Sequence, residues 1–474
     1  MIVATETGGC SLSGAQPDAL RAYERAMAAF QGWRGGAGEH LEQALQHAPG
    51  FVMAHVMQAY LAVSSRDPRR VRTARPILAR AAALRANARE RMHLAAIGAV
   101  LADDYEGARA TLGELLRWQP LDALALQVVH SFDHLAGDTL GMSARVAAVL
   151  PAWSRDMPGY HAVLSMHAFG LGECGDYALA EQAARDALTL NPADARAHHA
   201  MAHVFEMSGR PDDGIRWMRE HLGFWSGDTL VATHCWWHLA LFHLSRGDVD
   251  GALQLYDERV RADRSAAIAD LIDASALLWR ARLQGASVGA RWAELADAWD
   301  AYIDDGFCSF SDLHAMLAFV GAGDRARARR LERALAARQS LPTRHGQTTR
   351  QLGLPACRAL MSFGLGDHAT AVRLLAHLSP CADGLGGSYA QRDVLHLTLL
   401  RSIEHIRRPS RHGQRFSHSL SPGDHHESSV QSFPTGSASP RRDRVAHALA
   451  ASHRRRDGRP TASRRVSTRP ATSG

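Results

Sequence analysis

Two histidines and a glutamate share one stripe of a predicted helix near the middle of the chain. His199, His203 and Glu206 are separated by four and three residues, and at about 100° per residue these positions lie on one face of an α-helix. Histidines at positions i and i+4 can both reach one metal ion, and His234 on the next predicted helix can add a further nitrogen. His199, His203, Glu206 and His234 are therefore candidate ligands of a divalent transition metal.

No established metalloenzyme motif accompanies these residues. Ala200 stands where an HExxH motif would have its glutamate. Glu206 lies about 10 Å along the helix axis from His199.

The same residues can instead line a ligand-binding groove. In arrays of helical hairpins the first helix of each pair lines the concave surface. The residues expected at such positions are His199, His203, Glu206, His234, Trp237, Trp279 and Arg282. The two indoles would be flat anchors for a peptide, a protein partner or a small ligand. We take this groove, centred on residues 160–320, as the predicted function, and a metal-dependent enzyme that uses the same residues as the alternative.

A third interpretation is purely structural. In it, the ring nitrogens of core or interhelix histidines bond to backbone carbonyls or to carboxylates such as Asp257 or Asp273. The histidines in question are His167, His238, His243 and His314.

The basic residues exclude several classes of enzyme. All 54 are arginines, and the chain contains no lysine. Schiff-base aldolases, pyridoxal-phosphate enzymes, Walker-A nucleotidases and ordinary protein kinases all require a lysine ammonium group. The sequence favours a binding protein over an enzyme. It identifies no catalytic residue, and it predicts no cofactor unless the metal alternative holds.

Charge is distributed unevenly along the chain. Residues 403–474 hold 14 arginines and five acidic residues, a net charge of +9, so residues 1–402 carry −3 of the total of +6. Residues 403–474 are also rich in Ser, Pro and His and have few aromatic residues, so a disordered tail is expected there. Contact with nucleic acid is expected only through this tail.

Composition and cysteine usage indicate a soluble cytoplasmic protein. The 474 residues are 46% hydrophobic and 22% charged, which is typical of globular proteins. Six scattered cysteines without a CxxC pair form neither a disulfide framework nor a thiolate zinc site. No apolar run is long enough to span a membrane, and the first residues do not resemble a secretion signal. No membrane partner is expected.

Glycines mark a repeat of helical-hairpin length. They stand at positions 137, 175, 209, 247, 285, 323 and 366, which are 34 to 43 residues apart. Each follows an Ala-rich amphipathic stretch, as expected for a left-handed residue that ends a helix. The period of about 34 residues is typical of tetratricopeptide repeats. The predicted fold is an all-α solenoid of degenerate hairpins, and Ser388 with Gln391 is expected to cap a helix near its end.

Six segments of this region resemble the tetratricopeptide repeat protein 38 family. They are VLPAWSRDMPGYHAVLSMHAFGLGECGDY (149–177), AHHAMAHVFEMSGRPDDGI (197–215), WWHLALFHLSRGDVDGALQLYD (236–257), DLIDASALLWR (270–280), DLHAMLAFVGAGD (312–324) and GGSYAQRDVLHLTL (386–399). The resemblance implies an all-helical array of tetratricopeptide-like units and carries no activity with it. Cys235 departs from the family pattern, where an asparagine is expected.

The resemblance and the composition together define three segments. Residues 1–16 are expected to be a flexible N-terminus, residues 17–402 the repeat domain and residues 403–474 the disordered tail. After Leu400 the family pattern stops, as a frameshift in a GC-rich gene would cause.

Overall fold

The computed structural model describes residues 4–5 and 9–407. Most of the expected tail, residues 408–474, lies outside this range. Two short strands, β1 (Ala4–Thr5) and β2 (Ser11–Leu12), pair antiparallel. All other regular elements of the described part are helical.

The helices follow one another in hairpins. The first eight are α1 (Pro17–Gln31), α2 (Ala37–His47), α3 (Val52–Val63), α4 (Pro68–Ala82), α5 (Ala88–Leu101), α6 (Tyr105–Trp118), α7 (Ala123–Ala136) and α8 (Thr139–Val149). The next nine are α9 (Tyr160–Glu173), α10 (Tyr177–Leu190), α11 (Ala195–Met207), α12 (Pro211–Glu220), α13 (Leu222–Trp225), α14 (Ala232–Ser245), α15 (Val249–Leu255), α16 (Ile268–Leu283) and α17 (Arg291–Asp300). The last seven are α18 (Ser309–Ala322), α19 (Arg325–Arg338), α20 (Arg344–Thr348), α21 (Leu354–Gly364), α22 (His368–Leu378), α23 (Tyr389–Arg392) and α24 (Val394–Arg407). This order confirms the predicted all-α array of helical hairpins.

Glycine and aspartate set the hairpin boundaries. All seven predicted glycines have φ between 68° and 92°, a backbone conformation that side chains with a Cβ rarely adopt. In four hairpins an aspartate follows the glycine at once and caps the next helix, as Asp248 does by accepting the Gly251 amide at 2.9 Å. The other three are Asp138, Asp324 and Asp367. The predicted capping box is also present, since the Ser388 amide donates to Gln391 Oε1 at 3.3 Å.

Segments distant in sequence contact each other within residues 9–407. The Gly387 amide donates to the His134 carbonyl at 3.2 Å, and Arg69 Nη2 lies 3.1 Å from Asp305 Oδ2. The Tyr389 amide donates to Glu173 Oε2 at 3.0 Å. The residues after α22 therefore pack against helices of the first half and the middle of the chain.

Helix α1 begins at Pro17, where the repeat domain is expected to start, and ordered structure is also present outside the expected bounds of that domain. Cys10 and Leu12 are buried, and the Ser13 amide donates to Glu90 Oε1 at 2.7 Å. The described part of the expected flexible N-terminus is thus packed against the body from residue 10 onward. At the other end α24 continues to Arg407, so the boundary at residue 402 falls inside a helix.

The described helices were also compared with the requirements of a membrane span. None of them is both long enough and apolar enough to cross a bilayer.

Candidate metal centre

Four histidines from two helices converge in the interior of the array. His199 and His203 come from α11, and His234 and His238 come from α14. One ring nitrogen from each of the four lies within 4.8 Å of those of the other three. Both pairs have the i, i+4 spacing that places two side chains on one helix face. His199, His203 and His238 are buried, and His234 is 19% exposed.

Carboxylates determine which nitrogen of two rings faces the cluster. His234 Nδ1 donates to Asp273 Oδ2 at 2.7 Å, and His238 Nδ1 is bonded to Glu206 Oε2 at 2.8 Å. In both rings this leaves Nε2 as the nitrogen available to a metal ion. Carboxylates on the outer nitrogen are a regular feature of histidines that bind metals, since they fix the ring and make it more basic.

The two histidines of α11 approach each other through their Nε2 atoms. His203 Nε2 and His199 Nε2 are 2.9 Å apart. The Nδ1 atoms of both rings are buried and have no hydrogen-bond partner, and neither does His238 Nε2. Burial and the neighbouring imidazoles hold the pKa of His199, His203 and His238 well below the ordinary histidine value. These rings are neutral near pH 7, which is the form that binds a metal ion.

The sequence analysis expected Glu206 to be a metal ligand beside the histidines. In the structure its carboxyl group does not belong to the cluster of ring nitrogens. Its carboxyl group is bonded to the outer nitrogen of His238. Glu206 lies seven residues after His199 on α11, and its side chain reaches α14 at His238. Burial raises the pKa of Glu206 to about 7.

Glu173, at the end of α9, completes the surroundings of the cluster. Its Oε1 lies 3.7 Å from His203 Nδ1, and its Oε2 accepts the Tyr389 amide at 3.0 Å. Arg392 Nη2 lies 3.8 Å from the same carboxylate. Burial raises the pKa of Glu173 to about 7. The sequence analysis did not identify Glu173, because its proximity to His203 depends on how α9 packs against α11.

The predicted open groove is not present at these residues. Trp237 is fully buried and stacks on His234, with ring centroids 4.9 Å apart and an interplanar angle of 16°. Trp279 is also fully buried, and its Nε1 donates to Thr398 Oγ1 at 2.8 Å. Both indoles are core residues here, and α24 contributes to the burial of Trp279 through Thr398.

Arg282 lies apart from the histidines. Its Nη1 donates to the Val320 carbonyl at 3.1 Å. It borders a separate surface cavity of about 330 Å³, between the end of α18 and the end of α21. The grouping of Arg282 with the histidine stripe is therefore wrong.

The structural interpretation describes His314, His243 and His238, each of which bonds to a carbonyl or a carboxylate. His314 Nδ1 donates to the Phe310 carbonyl at 2.8 Å, and His243 pairs with Asp248 at 2.6 Å. Of the proposed carboxylate partners, Asp257 binds Arg291 instead, and Asp273 binds His234. His167 is only partly buried. His238 belongs to the cluster, and its four-residue spacing from His234 was the signal that could have identified it.

Comparisons with known proteins show only distant similarity. No protein family model matches the chain. A structure of human IFIT1 as a dimer with m7Gppp-AAAA is 12% identical and covers 83% of this chain and 94% of its own, with a TM-score of 0.42. A monomeric mutant of IFIT1 with Gppp-AAAA has the same identity and coverage and a TM-score of 0.38. At this level nothing about ligands carries over to the present chain.

Proposed function

We propose that this protein binds one divalent transition-metal ion through the Nε2 atoms of His199, His203, His234 and His238. The observation that supports it is the convergence of four imidazoles, two of which have a carboxylate on the outer nitrogen. Imidazole ligands suit zinc, copper, iron and nickel. Zinc is the first candidate, because four neutral donors fill its preferred tetrahedral shell.

The distances fit a zinc ion after small side-chain movements. Zinc–nitrogen bonds of about 2.0 to 2.1 Å in a tetrahedron place the nitrogens roughly 3.3 Å from one another. The nitrogens of the cluster lie within 4.8 Å of each other, and those of His199 and His203 are 2.9 Å apart. An ion would draw the wider pairs together and separate His199 from His203.

The charges around the cluster favour a cation. Three carboxyl groups, those of Asp273, Glu206 and Glu173, contact the imidazoles of the cluster, and Arg392 lies 3.8 Å from Glu173 alone. The raised pKa values of Glu206 and Glu173 reflect the cost of burying their negative charge. A divalent ion within the ring of histidines would offset that charge.

A closed four-histidine site has a structural function in the first place. Four protein ligands leave a tetrahedral zinc without an open position, which is typical of structural rather than catalytic zinc. The ion would fasten α11 to α14, the first helices of two consecutive hairpins. We therefore propose a metal-stabilised helical repeat protein. Any binding of peptide or protein partners would use surfaces outside the centre.

We also infer kinship with the tetratricopeptide repeat protein 38 family. The segments that resemble it contain three of the four histidines and also Glu173, Asp273 and Gln391. The inference is supported if a structure of a member of that family shows the same order of helices and places histidines at the matching positions. A member with a different fold would contradict it.

Cobalt titration of the full chain tests the metal site. Protein stripped with a chelator should bind one Co²⁺ and develop the visible absorption of tetrahedral cobalt, and Zn²⁺ should displace it. The variant His199→Ala/His203→Ala should lose both the absorption and the binding. His243→Ala is the matched control, since it removes a histidine of α14 that pairs with Asp248 outside the cluster. Wild-type protein that binds no cobalt or zinc at micromolar concentrations would refute the proposal.

A further inference from the structure

A surface cavity of about 330 Å³ lies between the end of α18 and the end of α21. Four large apolar side chains belong to its wall, those of Phe319, Val320, Met361 and Leu365. Leu365 is 59% exposed, so part of this apolar wall is open to solvent. Binding sites for small molecules have volumes of about 300 to 1,000 Å³ and mostly apolar linings. The cavity therefore has the size and the lining for one small molecule.

Glycines at the two helix ends keep the cavity free of side chains. Gly323 follows the last residue of α18 and has φ of 71°, and a Cβ at this position would meet no atom within 4 Å. Gly364 is the last residue of α21, and a Cβ there would collide with Val320. The first glycine leaves space at the end of α18, and the second lets α21 pack closely against α18.

Arg282 supplies a fixed positive charge at the wall of the cavity. Its Cζ lies 5.3 Å from the centroid of the Trp279 ring, and its Nη1 donates to the Val320 carbonyl at 3.1 Å. Its Nε and Nη2 atoms make no hydrogen bond with the described residues, and neither is sealed from solvent. Burial lowers the pKa of Arg282 from the ordinary arginine value, and no carboxylate of the described residues forms an ion pair with it. A bound anion would offset the cost of burying this charge.

Two more arginines border the cavity from the first two turns of α19. They are Arg325 and Arg329, both exposed, and neither forms an ion pair within the described part of the chain. With Arg282 they place three guanidinium groups around an apolar space. Such a surface attracts anions, and the chain's own residues 403–474, with their net charge of +9, are an unsuitable occupant.

The one acid among the described residues that line the cavity is already neutralised. Asp324 Oδ2 lies 3.1 Å from Arg327 Nη1, and its Oδ1 accepts the Arg327 amide at 3.0 Å. Asp297 and Asp300 also bind Arg327, but neither of them lines the cavity. Three arginines against one aspartate leave the lining with a net charge of +2.

We propose that this cavity binds a small carboxylic acid with an apolar tail, of the class of the medium-chain fatty acids. The carboxylate pairs with Arg282, because guanidinium and carboxylate groups form strong charge-assisted hydrogen bonds. The tail lies against Met361 and Leu365, which removes apolar surface of the ligand and of the cavity from water. The site lies apart from the four-histidine centre, and its test does not depend on a bound metal.

Calorimetric titration of the full chain with octanoate, octanol and acetate tests the site. Octanoate carries both the charge and the tail, octanol lacks the charge, and acetate lacks the tail. We expect one octanoate per chain, with an affinity at least about tenfold above that for octanol or acetate. Absence of octanoate binding below the concentration at which it forms micelles, or octanol bound as tightly as octanoate, would overturn the proposal.

Replacement of Arg282 tests the charge. Arg282→Met keeps a side chain over Trp279 and removes the cation, so the octanoate affinity should fall at least about tenfold while the weaker octanol affinity stays unchanged. Arg333→Met is the matched control, since Arg333 is an exposed arginine of α19 that does not line the cavity. An octanoate affinity of Arg282→Met within about threefold of wild type would contradict the role of Arg282.

Two surface variants keep the test independent of the stability of Arg282→Met, because substitutions of exposed residues rarely disturb folding. Arg325→Gln/Arg329→Gln should weaken the binding of octanoate but not of octanol, since it removes charge alone. Leu365→Ser should weaken the binding of both, since it removes an apolar contact of the tail. Octanoate affinities of both variants equal to that of wild type would show that octanoate binds elsewhere on the protein.

Discussion

Asp273→Asn is expected to weaken zinc binding without disturbing the four ligands themselves. In the structure, Asp273 is buried and each of its oxygens accepts one hydrogen bond. Oδ2 accepts from His234 Nδ1 at 2.7 Å, and Oδ1 accepts from Gln391 Nε2 at 3.2 Å. Asparagine has the same shape but only one acceptor oxygen, so one of the two donors must face an amide N–H group.

The size of the effect follows from this geometry. Loss of a hydrogen-bonded partner on the outer nitrogen of a metal-binding histidine typically weakens metal affinity about 10- to 100-fold. That range corresponds to roughly 1.4 to 2.8 kcal/mol of binding free energy. The unsatisfied donor should also lower the free energy of unfolding of the metal-free protein by about 1 to 3 kcal/mol.

Two measurements separate these effects. Competition with a chromophoric chelator gives the dissociation constant for zinc, and urea unfolding in excess chelator gives the stability of the metal-free protein. Asp312→Asn is the control for the zinc affinity alone, since Asp312 is a buried aspartate of α18 that is not bonded to any of the four histidines. A zinc affinity of Asp273→Asn within about threefold of wild type would show that Asp273 does not support a metal ligand.

Three further predictions follow from the structure. Burial raises the pKa of Asp312 from 3.8 to about 7, so the folded state disfavours the ionised form, and its stability should fall as pH rises from about 4 to about 7. Asp312→Asn should remove this decline, so at pH 8 its free energy of unfolding should exceed that of wild type by up to about 4 kcal/mol. Urea unfolding as a function of pH checks this prediction. Parallel curves of unfolding free energy against pH for the two proteins would contradict it. Gln391→Ala should weaken zinc binding in the same direction as Asp273→Asn, and the double variant should lose little more, since both act through His234; additive losses in chelator competition would show independent roles. Trp237→Ala should destabilise the metal-free protein by about 3 to 5 kcal/mol in urea unfolding, because the indole is fully buried; an effect below about 1 kcal/mol would argue against its burial.

Local rules predicted the hairpins and part of the centre. The glycines at 175 and 209 predicted the ends of α9 and α11, because the left-handed conformation that ends a helix is determined by neighbours in sequence. His199 and His203 were paired for the same reason, since one helix turn separates them.

The rest of the centre depends on contacts between distant segments. Burial of Trp279 involves Thr398 of α24, which lies more than 100 residues further along the chain. Periodicity predicts that a helix has an inner face, but it does not predict whether that face is open or covered. This is why residues expected to line a groove proved to be core.

The roles of the carboxylates show the same limit. Glu206 was assigned to the metal because it shares a stripe with His199. In the structure it reaches across to His238 on α14. Glu173 and Gln391 were not identified as neighbours of the centre, since their distances to it depend on how α9 and α23 pack.

An anomalous difference map at the zinc edge, from crystals of protein purified without chelators, tests the central claim most directly. The account predicts one strong peak, about 2.0 to 2.1 Å from Nε2 of His199, His203, His234 and His238. A map without a peak at this position, from crystals grown with zinc present, would contradict it.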